Sequence, residues 1–219
     1  MTLELFAHPF SSYCQKALIA FYENDIPFTF RLLSPDEPVN GERFAALWPI
    51  GKFPLLQDGG HTVVEATSII EHLHVHHRGP APLIPDDPAL AAQVRMMDRV
   101  FDNYVMTPMQ KFVLNARRPE ADRDPHGVAE AGTVLDTIYP WLDGVLAGRA
   151  WAAGEAFSLA DCAAAPSLFY ADWVREIPAA LTHLRAYRAR VLAHPSVARA
   201  VDEGRPYRSY FPLGAPDRD

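Results

Sequence analysis

Residues 79–88 read Gly-Pro-Ala-Pro-Leu-Ile-Pro-Asp-Asp-Pro. Proline has no amide hydrogen to donate and its ring clashes with a preceding helical turn. Four prolines in ten residues therefore forbid the interior of a helix and of a sheet alike. Such a stretch is a semi-rigid connector. It divides the chain into a domain of residues 1–79, a linker at 80–88 and a second domain at 89–219.

The first domain alternates two periodicities. Leu3–Ala7 is an apolar strand, and residues 12–24 are a helix with Ala17, Leu18, Ala20 and Phe21 on its inner side. A turn at Asp25-Ile26-Pro27 leads into a strand at 28–33. A polar, proline-bearing loop at 34–41 precedes a short helix at 42–47, which Trp48-Pro49 and Gly51 stop. A strand at 54–57, the tight turn Asp58-Gly59-Gly60 and His61–Val64 form a hairpin, and a helix at 66–77 follows. The order β-α-β-α-β-β-α predicts a mixed sheet covered by helices.

Beyond the linker only helical spacing recurs. Leu90, Val94, Met97, Phe101 and Tyr104 make one apolar stripe, and Val134, Leu135, Ile138, Trp141, Leu142 and Val145 another, with a kink expected at Pro140. Ser158 and Asp161 have the spacing of a capping box, with Phe157 and Cys162 at the staple positions. Leu181, Leu184, Tyr187 and Val191 mark a further helix, broken at His194-Pro195 and resumed at Ser196. From Gly204 the chain is expected to pack irregularly.

Net charge is −7 and no run of lysine or arginine occurs, which argues against nucleic acid and anionic membrane as partners. The first residues lack a signal-peptide pattern, and no apolar run approaches a membrane span. Two distant cysteines, Cys14 and Cys162, suit a reducing compartment, so a cytoplasmic location is expected.

Three stretches of the first domain carry chemistry. Ser11-Ser12-Tyr13-Cys14 follows a strand and opens a helix, whose first backbone N–H groups are unpaired and attract an anion. Ser11 or Ser12 caps this helix, or turns its hydroxyl outward to a bound thiolate or carboxylate. The spacing Ser11-x-x-Cys14 is that of a redox Cys-x-x-Cys pair with its first sulfur replaced by oxygen, and a hydroxyl cannot perform disulfide exchange. Gly51-Lys52-Phe53-Pro54 places a proline at a strand start. Val64-Glu65-Ala66-Thr67 places an acidic residue at a helix start.

Together these stretches resemble the cytosolic glutathione transferase superfamily, in particular its bacterial, serine-type, theta- and zeta-like members. The Ser-x-x-Cys turn is similar to their active-site motif, and Gly51-Lys52-Phe53-Pro54 to the family's cis-proline motif. Glu65 sits where the family has a Glu-Ser pair. In the second domain Phe157-Ser158-Leu159-Ala160-Asp161 resembles the family's capping box, and Ala147-Gly148-Arg149 through Gly154 the segment leading into it.

The resemblance implies a thioredoxin-like βαβαββα domain followed by an all-helical domain, a homodimer, and glutathione as co-substrate without a metal. It implies that Ser11 donates to the glutathione sulfur, with Phe10 and Ser12 beside it. Lys52 would meet the glycyl carboxylate, and the backbone flanking Phe53 and Pro54 would pair with the peptide as an added strand. The N–H groups of Ala66 and Thr67 would hold the γ-glutamyl carboxylate, and Glu65 would accept from the γ-glutamyl ammonium. Tyr104, Met109 and Phe112 are assigned to the second-substrate pocket. The thiolate would then attack an electrophilic, apolar co-substrate. Ala66 departs from the family's serine, which removes one hydroxyl contact and implies weaker glutathione binding.

Magnitudes support that chemistry. A free thiol ionises near pH ~8.5, and one unit corresponds to about 1.4 kcal/mol. A hydrogen bond to a charged group contributes roughly 1.5–3 kcal/mol, and a helix N-terminus about 0.3–2 kcal/mol. Together these lower a thiol pKa by ~1.5–3 units. Two other readings stay open: a glutathione-dependent cis–trans isomerase of the zeta (maleylacetoacetate isomerase) type, and a non-catalytic scaffold on the same fold. Cys14 reads as a small core residue. The run His72-Leu73-His74-Val75-His76-His77 reads as solvated histidines favoured at a helix C-terminus, since His72 and His76 share a face without a third ligand at matching spacing.

Overall fold

A computed structural model describes residues 3–219. Four strands, β1 (Leu3–Ala7), β2 (Phe28–Leu32), β3 (Leu55–Asp58) and β4 (His61–Val64), form one sheet in the order β2-β1-β3-β4. β1 and β2 are parallel, and β1–β3 and β3–β4 are antiparallel. The period-2 alternation of β1 divides its side chains between two layers. Leu3, Leu5 and Ala7 join the main core with α1 (Ser12–Glu23) and α3 (Ala66–His76), whereas Phe6 packs with Leu55 and with Phe44 of α2 (Pro38–Leu47) on the other face.

The second half is helical: α4 (Pro88–Phe101), α5 (Thr107–Ala116), α6 (Pro125–Leu146), α7 (Leu159–Val174), α8 (Thr182–Leu192) and α9 (Pro195–Gly204). Together with the mixed sheet of the first half this is the α/β plus all-α architecture read from the sequence. α7 is buried along nearly its whole surface and is the central helix, packed against α1, α4 and α8. Its start is fixed by Asp161. Asp161 Oδ2 accepts from the Ser158 N–H and hydroxyl (2.9 Å each), and Oδ1 accepts from the Ala152 N–H (2.8 Å) and the Tyr187 hydroxyl (2.7 Å). The capping box is thus also a tertiary tie to α8. Phe157 stacks on His194 and meets Trp151 edge-on.

Four local expectations need correcting. The loop expected at 34–41 contributes its last residues to α2, because Pro38 occupies the first helical turn, where its missing N–H costs nothing. Pro88 likewise opens α4, with Asp87 accepting from the Leu90 N–H at 2.8 Å. The apolar stripe does not run on to Tyr104. A π-helical turn at Asp102–Met106 inserts an extra residue after Phe101, buries Val105 and Met106, and leaves Tyr104 52% exposed. Finally, residues 205–210 form a 3₁₀ helix, where an irregular path was expected.

The connector is packed, not free. The Ala81 N–H donates to Asn24 Oδ1 (2.9 Å), the Leu83 carbonyl accepts from Leu159 N–H (2.8 Å), and Leu83 and Ile84 are buried.

Candidate functional site

Strand register assembles the site. Leu55 pairs with Phe6 on one side and with Val64 on the other. Hence His8 and the loop to Ser11, Pro54, and Glu65 all emerge at one end of the sheet, although they are scattered over more than fifty residues. The starts of α1 and α3 flank that end, and neither helix has an acidic residue in its first turn. Two positive helix ends therefore converge where an anion would be held.

Ser11 is the residue before α1. Its N–H donates to the His8 carbonyl (2.9 Å) and its carbonyl accepts the Gln15 N–H (2.8 Å), while its hydroxyl caps no helical N–H. Ser12 is buried inside the first turn and Ser11 is partly exposed. Of the two residues, Ser11 is the more exposed. The preceding loop is rigid: His8 Nδ1 accepts from the Phe10 N–H (3.2 Å), the Phe10 carbonyl accepts from Tyr170 (2.9 Å), and Gln15 donates to the Pro9 carbonyl (3.0 Å). Burial pulls the His8 imidazole below its ordinary pKa, which favours the neutral ring that this acceptor role requires. The Phe10 ring packs on Tyr170 and Trp173, so its side chain belongs to the domain interface.

Cys14 is fully buried. Burial pushes its thiol up to about 12, against the partial help of the Ser11 hydroxyl and the His8 N–H, 3.5 Å from Sγ. At about pH 8 such a thiol stays protonated. Iodoacetamide at that pH is expected to leave Cys14 unmodified in the folded chain by intact mass. Modification as fast as that of free cysteine would restore a redox reading.

On the opposite side, the Phe53–Pro54 peptide bond is cis, with Lys52 and Phe53 exposed and Pro54 buried. Glu65 precedes α3 at φ 69°, a conformation that costs a non-glycine residue about 1–3 kcal/mol and recurs at ligand clamps. Its side chain is exposed and caps nothing, and Ala66 is buried behind it. The Thr67 hydroxyl is not free to replace the serine missing at 66: it accepts from Lys16 Nζ (2.8 Å) and donates to Asp98 (3.1 Å).

The family model for the glutathione S-transferase N-terminal domain matches residues 5–81, and that for the C-terminal domain residues 104–195. The chain belongs to the glutathione S-transferase superfamily. It is 27% identical over 165 residues to glutathione S-transferase GstB of Escherichia coli, covering 73% of this chain and 78% of that one. It is 31% identical over 148 residues to FtsZ-localized protein A of Caulobacter vibrioides, a match spanning 62% of this chain and 63%, just under two thirds, of that protein. Among solved structures, a glutathione S-transferase from Methylobacillus flagellatus with glutathione bound is similar at 26% identity and a TM-score of 0.77, over 91% of this chain and 98% of that one.

The residues assigned to the second-substrate pocket do not share one environment. Met109 is 2% exposed and belongs to the core, and Phe112 lies beside Gly132 of α6. Tyr104, turned outward by the π-helical turn, lines an open apolar groove of about 430 Å³ with Val100, Val134, Ile138 and Trp141. Two aromatic side chains of the tail stand against His8, three residues before Ser11. Tyr207 and Tyr210 lie 4.6 and 6.0 Å from the His8 ring, centroid to centroid. Gly204 lets the tail approach, since a Cβ there would stand 2.9 Å from Gln15 Nε2 and 3.1 Å from the Pro9 carbonyl.

Sequence reasoning missed the ionic network under the site. Lys16 of α1 is fully buried. Its ammonium lies 2.5 Å from Asp98 and 2.8 Å from Asp102, and Arg99 also pairs with both carboxylates, at 2.5 and 2.7 Å. Burial raises the Asp102 pKa, with Lys16 opposing the rise. The available signal was two carboxylates four residues apart on an otherwise apolar helix face, opposite a lysine within an apolar helix. The histidine run also has a partner that its spacing does not show, although His72 and His76 do share a face, their rings 4.5 Å apart. The third donor comes from the hairpin: Asp58 Oδ2 lies 2.9 Å from His72 Nε2 and 2.7 Å from His77 Nε2, so the residues brought together are His72 and His77, with a carboxylate, and not His72 and His76 alone. Among the described residues no helix is long and apolar enough to cross a membrane.

Proposed function

We propose that this chain is a glutathione transferase in which Ser11 holds the glutathione sulfur as a thiolate for attack on an electrophilic, apolar co-substrate. The single observation that carries this reading is Ser11 itself, a partly exposed residue at the positive end of α1 whose hydroxyl caps no helical N–H. Pro54 and Glu65 stand at the same end of the sheet, arranged to take an extended anionic peptide along the exposed backbone. Lys52 serves the glycyl carboxylate, the backbone N–H groups of Ala66 and Thr67 the γ-glutamyl carboxylate, and Glu65 the γ-glutamyl ammonium. The missing hydroxyl at Ala66 weakens this hold. Tyr207 and Tyr210 give the co-substrate a flat, apolar wall. The serine at the motif's first position favours a theta- or zeta-like member acting in the cytoplasm, and the groove around Tyr104 and Trp141 suits a homodimer.

The reaction asks little of the protein. The thiol proton leaves to solvent as glutathione binds. The sulfur lone pair forms the new bond to carbon. In substitution the leaving group departs to solvent with the electrons of the broken bond, and in addition the double-bond electrons move to the neighbouring atom, which takes a proton from water. Ser11 donates to the sulfur throughout and never becomes covalent. Ultraviolet difference spectra of bound glutathione test this directly. The thiolate band is expected to titrate about 1.5–3 units below the free thiol at ~8.5. Binding with an unshifted thiol would remove the catalytic reading. The likeness to FtsZ-localized protein A favours a second reading, a scaffold that assembles with other proteins, and absence of glutathione binding at millimolar concentration would select it.

A further inference from the structure

We propose that Asp58, His72 and His77 form a binding site for one divalent transition-metal ion of the zinc type, at the end of the sheet opposite Ser11. One donor atom from each of the three lies within 4.8 Å of the other two. All three side chains are partly buried, at 16%, 15% and 29% exposure, so the donors are held in place while one side stays open to water. A tetrahedral ion with bonds of about 2.0–2.1 Å sets its donors about 3.3 Å apart. The contacts of 2.9 and 2.7 Å need to open by roughly half an ångström, within reach of small side-chain rotations. Imidazole with a carboxylate is a donor set suited to zinc, and water would complete the coordination.

The backbone explains why such a cluster exists. Residues five apart on a regular helix point about 140° away from each other. His77, however, is the residue that ends α3, at φ −136° and ψ 43°, and this departure lets its ring reach the carboxylate that His72 also meets. Asp58 is fixed as the last residue of β3, paired with His61 across the hairpin and with Leu3 of β1. The ion would sit at the C-terminal end of α3, where the helix dipole favours positive charge. α3 spans about 16 Å from Ala66 to His76. A metal at its far end therefore pins the helix to the hairpin, and so steadies the N-terminus that faces glutathione, without touching the reacting atoms. Without metal the same three residues make a hydrogen-bonded clamp, and the test separates the two.

Calorimetric titration of the tag-free, chelator-treated full chain with zinc chloride is expected to show one saturable site. Asp58→Asn and His77→Gln should each weaken it about 10–100-fold, while His74→Gln should leave it unchanged. At a hundredfold excess of zinc over its dissociation constant, the native protein's Tm should rise by about 5–10 °C. This readout needs no variant. Absence of saturable binding, or binding undiminished in Asp58→Asn, or no zinc-dependent rise in Tm, overturns the proposal. Glutathione binding is not required for any of these readouts, so the site stands or falls independently of the transferase reading.

Discussion

Lys16→Met is expected to remove about 3–5 kcal/mol of stability at neutral pH, the cost of leaving buried carboxylates short of a partner. The lysine is fully buried and links α1 to Asp98 and Asp102 on the far side of the domain boundary. Two positive and two negative groups balance in the native network. Without Lys16 the half-exposed Arg99 alone faces two buried carboxylates. Against a total stability of about 5–15 kcal/mol this is a large fraction. The urea midpoint should fall by about 1–2 M.

The pH dependence gives the sign. Burial already raises the Asp102 pKa in the folded state. A carboxyl with a raised folded pKa binds its proton more tightly when folded, so its contribution to stability is greatest at low pH and falls as pH rises through the window above the unfolded value. Removing Lys16 raises that pKa further. The gap between variant and native should therefore narrow as pH falls from about 7 toward 5, because a protonated Asp102 needs no counter-charge. Unchanged stability at every pH would show that the network contributes nothing.

Ser11→Ala is expected to lower kcat/KM toward an activated aryl chloride by about 10–150-fold below the native thiol pKa. This is the equivalent of the roughly 1.5–3 kcal/mol carried by a hydrogen bond to a charged acceptor. The hydroxyl acts by lowering the thiol pKa, so its loss moves the inflection of the pH–rate profile upward by about 1–2 units. The deficit should be largest in acid and shrink once both bound thiols are ionised. A structural defect would depress the rate at all pH values alike. Ser12→Ala should leave the inflection in place, since Ser12 is buried within the first turn of α1.

How far the sequence reaches can be judged residue by residue. The strand and helix periods of the first domain, the hairpin at Asp58-Gly59-Gly60, the helical second half and the Ser158–Asp161 box were all legible, because each is written in residues a few positions apart. The start of α2 was not, because Asn40 and Gly41 imitate a loop while Pro38 satisfies a helix start. Tyr104 left the apolar stripe because one π-helical turn shifts the phase of the side chains after Phe101.

By itself, then, the sequence determined the layers of this protein and the residue types at the mouth of its site, through local spacing. The tertiary structure alone decided which of them meet. The pairing of Leu55 with both Phe6 and Val64 carries His8, Pro54 and Glu65 to one edge. The packing of both α1 and α4 on α7 makes Lys16 a buried link between domains, and the end of α3 brings two histidines to a carboxylate from the hairpin. Local spacing fixes where a side chain stands on its own element. Which partner it finds depends on register and packing between elements far apart in the chain, and no local pattern records that.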